Sequence, residues 1–128
     1  MTISVYWHDE NKQIVRIEYS EMWSLDELYK ISLKSHQMVG EVSHQVDILV
    51  DLRRSRVAPT QLLSSARYVN SLVQPNQGLI VTVGAPTFLK ALIRVAGRIM
   101  PQVTAKLRYV NTLDEAFDTI QQYESKPS

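Results

Sequence analysis

The chain has 128 residues, 45 % of them hydrophobic and 21 % charged, with a formal net charge of +1. That length fits one domain able to bury a core, and the balance is that of a globular protein rather than a disordered one. So small a net charge supplies no general field for nucleic acid, and the absence of cysteine excludes a disulfide scaffold, a thiolate metal site and a cysteine nucleophile.

The opening stretch MTISVYWHDE has neither a cationic leader nor a long apolar run. Nowhere do about eighteen apolar residues run together, so no integral membrane segment is expected and a cytoplasmic domain is the default. Residues 3–8 and 13–19 alternate in the strand manner, Ile3, Val5 and Trp7 against Ser4, Tyr6 and His8, with the polar break Asp9 to Lys12 between them. They predict a β-hairpin.

Ser24 followed by Glu27 is a capping box, which satisfies two orphaned backbone donors and predicts a helix from Leu25 to about Val39, stopped by Gly40. Its expected inner face is Leu25, Leu28, Tyr29 and Val39, with Ser32 and His36 in line. After a connector at 41–45, the β-branched run 46–52 has the pattern of a strand buried on both faces. A basic loop follows, with Arg53, Arg54 and Arg56 around Ser55, and Pro59 suits the first turn of a second helix over about 59–73. Leu62, Leu63, Ala66, Val69, Leu72 and Val73 form its expected inward stripe, and residues 74–78 have the composition of a turn.

Residues 79–83 form another apolar strand, stopped by Gly84. Thr87 lies at the start of a third helix that must end before Pro101, because a residue preceding proline avoids the helical region. Residues 106–110 alternate as an edge strand. Thr112 with Glu115 is a second capping box, opening a last helix with the stripe Leu113, Ala116, Phe117, Ile120 and Tyr123, and the chain should fray from Glu124. The order β-β-α-β-α-β-α-β-α predicts an α/β domain over residues 1–128. Its sheet should be mixed and mostly parallel, flanked by helices, with residues 46–52 in the middle.

This order, together with MWSLDELY, VDILVDLRRS, GLIVTVGAPTFLKAL and the closing NTLDEAFDTI, resembles the STAS domain of anti-sigma-factor antagonists and transporter tails. It looks closer still to an uncharacterised bacterial STAS-like branch grouped with CRAL-TRIO lipid-binding folds. The resemblance implies a non-catalytic regulatory module that works through protein contacts. In signalling members a serine opening the helix after the central strand is phosphorylated within a D-S-S-G-like run. The matching stretch here is Ala58-Pro59-Thr60-Gln61, without the aspartate and the glycine. Thr60 is its only hydroxyl, and Ser55 is the nearby alternative.

The arginine loop faces a helix N-terminus, whose partial positive charge and free amide protons favour anions. Asp51, Arg53, Arg54, Ser55, Arg56, Thr60, Gly84 and Thr87 are therefore the expected anion- or partner-binding rim. A solvated loop whose arginines pair with local carboxylates is the alternative. In the third helix Phe88, Leu92, Val95 and Ile99 make one apolar seam and Leu89, Ile93, Ala96 and Met100 another, an arc wider than a surface helix needs. A symmetric homodimer, a greasy ligand such as a lipid or a membrane surface, or the chain's own last helix and first hairpin could cover the extra seam, whereas an anionic small molecule would sit at the arginine rim. His8, His36 and His44 lack metal-ligand spacing, and no catalytic constellation can be assembled from the hydroxyl, histidine and carboxylate residues. The expectation is no enzyme, metal or cofactor, and a protein partner rather than nucleic acid.

Overall fold

The computed structural model describes residues 3–56, 71–85, 87–99, 101 and 105–125. Strands β1 (Ile3–Trp7) and β2 (Ile14–Tyr19) pair antiparallel as the expected hairpin. Its turn closes on Asp9, whose Oδ1 accepts from the N–H groups of Gln13 at 3.0 Å and Ile14 at 3.1 Å. Lys12 takes a φ of 55° there.

Helix α1 (Leu25–Gly40) starts on the predicted capping box: Ser24 Oγ accepts from Glu27 N–H and Glu27 Oε1 accepts from Ser24 N–H, each at 3.3 Å. Two expectations are corrected. The buried face is Leu28, Ile31, Ser35, His36, Met38 and Val39, while Leu25, Tyr29 and Ser32 are only half-buried. The real stripe keeps Leu28, His36 and Val39 of the expected line and adds Ile31, Ser35 and Met38. Gly40 is the last helical residue rather than a left-handed stop, and Glu41 caps the helix in right-handed conformation.

Strands β3 (Val46–Asp51), β4 (Gln77–Val83) and β5 (Leu107–Val110) complete one sheet in the order β1-β2-β3-β4-β5. All pairs except β1–β2 are parallel, so the sheet is mixed and the apolar run 46–51 lies at its centre, as its β-branched composition predicts. Strand β4 begins earlier than predicted: Gln77 and Gly78, expected in a turn, already belong to it, and Val46 pairs with Gln77.

Helix α2 is described over Thr87–Ile99. Met100 lies outside the described residues and Pro101 is itself helical, so the end expected before that proline falls outside them. Helix α3 (Leu113–Ser125) continues past Glu124, where fraying was predicted. The predicted helix 59–73 falls mostly outside the described residues, including Leu62, Leu63, Ala66 and Val69. Of its end, Val73 is 45 % exposed rather than inward.

The sheet is covered from both sides. Ile48 and Leu49, adjacent on β3, enter different cores, because successive strand residues face opposite ways. Ile48 joins Ile3, Val15, Ile17, Leu28, Ile31 and Val39 under α1. Leu49 joins Leu79, Val81 and Val83 against Ala116 and Ile120 of α3, with Leu113, Phe117 and Tyr123 at the margin. The last helix thus buries the stripe read from its sequence. No helix among the described residues is long and apolar enough to cross a membrane.

Candidate functional site

Because β2, β3 and β4 run parallel, their carboxyl ends deliver residues 20–24, 52–56 and 84–85 to one edge of the sheet. In open α/β sheets this edge is where ligands bind. The central strand hands on its chain through Leu52, whose N–H donates to Val83 O at 2.9 Å. A tight turn follows, closed by Ser55 N–H on Leu52 O at 3.1 Å.

Asp51 ends β3 with its side chain only 8 % exposed. Its Oδ1 accepts from Arg53 N–H and Nε–H, each at 3.0 Å, and its Oδ2 accepts from Nη2 at 2.8 Å. Burial pushes the Asp51 carboxyl up, but the Arg53 hydrogen bonds and the charges of Arg53 and Arg16 outweigh it, holding the group below its ordinary value. The same hydrogen bond raises Arg53. This arginine is therefore committed to Asp51, as in the alternative reading of the basic loop, although half of its side chain meets solvent.

Gly84 makes this packing possible. Its φ is +69°, and a Cβ there would lie 2.8 Å from Arg53 Cγ and 3.2 Å from Arg53 Cα. A residue with a side chain would meet both a strained backbone and the Arg53 stem.

The loop is braced from the other side by the connection between β2 and α1. Trp23 Nε1 donates to Ser55 Oγ at 2.7 Å, and Arg56 N–H donates to Glu21 O at 3.0 Å. Arg56 and Glu21 also form an exposed ion pair at 3.9 Å. Trp23 is buried and packs edge-on against Tyr19 at 4.9 Å between ring centroids, and burial raises the Tyr19 hydroxyl. Met22 stands 66 % exposed next to it, and Arg54 is exposed. A polar strip leads into the rim across the sheet: Tyr6 donates to Glu18, Arg16 Nε lies 3.6 Å from Glu18, and Glu18 pairs in register with Asp51.

Of the residues singled out in the sequence, Asp51, Arg53, Ser55, Arg56 and Gly84 come together here, Arg54 is exposed beside them, and Thr87 is exposed at the start of α2. Thr60 lies outside the described residues, as do the side chains of Phe88, Leu92 and Ile99; Val95 is 44 % exposed. Glu21, Met22 and Trp23 were missed. The links of Trp23 to Ser55 and of Glu21 to Arg56 span more than thirty positions of chain, and no local pattern announces them.

The histidines are apart. His8 stacks on Phe117 at 4.7 Å, and His44 Nε2 lies 2.8 Å from Lys12 O. His36 is buried with Nδ1 2.6 Å from Ser32 O. Among the described residues no three His, Cys, Asp or Glu side chains could hold a metal ion. No family model matches the chain, and no curated protein matches it.

Proposed function

We propose that this chain is a non-catalytic, STAS-like interaction module of regulatory type, acting as a homodimer and meeting other proteins through the rim of residues 20–24 and 51–56. One observation carries the reading: the rim is braced within its loop by Asp51–Arg53 and between its two segments by Trp23–Ser55 and Glu21–Arg56. A rim held in this way offers Met22 and Arg54 outward without having to order them on binding, which lowers the cost of association. An exposed methionine beside arginines suits a protein surface, where both residue types are enriched. The mixed sheet with β3 at its centre is consistent with the STAS-like order.

Affinity capture with Met22→Ala and Arg54→Glu tests this reading. It expects proteins retained by the wild-type chain and lost from both variants; the same proteins retained by all three would refute it. A second reading, a lipid- or small-molecule-binding domain using α2, is favoured by the exposure of Val95 on that helix. Native mass spectrometry of freshly purified protein would reveal a retained ligand under that reading and none under the first.

A further inference from the structure

The two edges of the sheet are treated differently. Strand β5 is an outer strand whose even-numbered residues face β4, since Lys106 O accepts from Ile80 N–H and Val110 O accepts from Gly84 N–H, both at 2.9 Å. Leu107 and Tyr109 therefore turn their backbone groups outward. Arg108 Nη1 occupies the outward carbonyl of Leu107 at 3.0 Å and also reaches Ala105 O at 3.3 Å. Charge on an edge, spent on the edge's own carbonyls, is a means of blocking further strand addition.

Among the described residues strand β1 has no such protection. Its sequence, Ile3-Ser4-Val5-Tyr6-Trp7, contains neither charge nor proline, and among the described residues it pairs only with β2. His8 N–H donates to Ile14 O at 2.8 Å, which fixes the phase of the antiparallel ladder. Alternate residues of β1 then face β2 (Ser4 and Tyr6), and Ile3, Val5 and Trp7 direct both N–H and C=O away from the sheet.

We infer that the β1 edge is the homodimer interface, joining two copies antiparallel about a two-fold axis at Val5 into one continuous sheet. This rests on the homodimer reading above and assigns its surface. The register is self-complementary: Val5 meets Val5 of the partner, and Ile3 meets Trp7, so every outward N–H of these three residues finds an outward C=O. A closed two-fold contact of this kind uses the same patch twice and leaves as outer edges only the two β5 strands, whose outward carbonyls Arg108 occupies. No like charges oppose each other across the axis, whereas β5 paired with itself would bring arginine and lysine side chains together. Val5 and Trp7 are half-buried within one chain, which leaves apolar surface at the seam for the partner to cover.

Sedimentation velocity at micromolar concentration, on the wild-type chain and on Val5→Pro, Ser4→Lys and Val95→Asp, tests this assignment. Proline at position 5 removes an outward N–H without touching a β1–β2 hydrogen bond, although it also trims the half-buried Val5 side chain, and lysine at exposed position 4 adds charge to the seam. The expected result is a wild-type dimer, retained by Val95→Asp and lost in both β1 variants. A dimer that survives both β1 variants and is lost in Val95→Asp overturns the β1 assignment while leaving the homodimer standing. A monomeric wild type overturns both. Should the variants fail to fold, amide exchange of the wild-type chain decides: protection of the Val5 and Trp7 amides must rise with protein concentration, and equally fast exchange at all concentrations refutes the interface.

Discussion

The indole nitrogen of Trp23 and the hydroxyl oxygen of Ser55 lie 2.7 Å apart, tying the residue before the first helix cap to the loop after the central strand. Two segments distant in sequence thereby become one surface.

Ser55→Ala should therefore destabilise the fold. It removes the acceptor while the indole N–H stays buried, and an unsatisfied buried donor costs about 1–3 kcal/mol. Urea unfolding should show a lower midpoint with an unchanged slope. A midpoint equal to wild type would mean that the contact adds nothing to the folded state.

Gly78 answers to Asp47 as Gly84 answers to Arg53. Asp47 is fully buried, its Oδ1 accepts from Leu79 N–H at 2.8 Å, and a Cβ on Gly78 would come within 2.1 Å of that oxygen. Gly78→Ala should push the carboxylate off the Leu79 amide, with a cost of about 1–3 kcal/mol from overpacking and a similar amount from the stranded amide. Adding Asp47→Ala to Gly78→Ala should cost less than Asp47→Ala does alone, because the tightest clash has gone and only the end of the flexible Gln45 side chain, 2.8 Å away, has to move. Strict additivity of the two in urea midpoints would contradict this geometry.

These contacts mark what was legible in the sequence. The strands, the capping box at Ser24, the Thr112 cap on Glu115 N–H and the α3 stripe follow from local pattern, because a cap is complete within four residues and a stripe within a few turns. The central place of 46–51 followed from its continuous apolar run. The rim was located through Asp51, the arginines and Gly84, because strand-loop-helix order fixes which edge a loop occupies. Its brace was not, since Trp23 and Ser55 meet only after the sheet has formed. The inner face of α1 was placed only in part, with Leu28, His36 and Val39 on it, for a related reason: Ser35 is buried by tertiary packing that its polarity does not advertise. The early start of β4 depends on Asp47, a buried carboxylate in mid-strand whose amide partner lies on the neighbouring strand.

Two groups make stability fall in acid, in separate windows. Burial lowers His36 below the ordinary 6.5, against the raising effect of its hydrogen bond to Ser32 O. The unfolded chain then takes up the proton first, so the His36 contribution is complete above about pH 6.5 and declines as pH falls through the lower folded value. Asp51, held below its ordinary 3.8 in the folded chain, contributes fully above that pH and loses its contribution as pH drops through its folded value. Urea midpoints measured from pH 8 to 2 should decline in both windows. His36→Gln should flatten the upper one and Asp51→Asn the lower one; an unchanged profile in either variant contradicts that assignment.

Asn76 gathers the chain between α1 and β3. Its Nδ2 lies 2.8 Å from Val39 O, 3.0 Å from Val42 O and 2.9 Å from His44 O. Asn76→Ala should cost about 1–3 kcal/mol by leaving these carbonyls without their donor. Asn76→Asp should cost more, since it turns a negative charge toward the same oxygens. Thermal melts showing the aspartate variant as stable as the alanine one would refute that arrangement.

The claim that this protein meets others through its braced rim is tested most directly by hydrogen exchange of the chain with and without a captured partner. Slowed exchange should concentrate in residues 20–24 and 51–56. Unchanged exchange there, with protection confined to α2 or α3, would contradict the account.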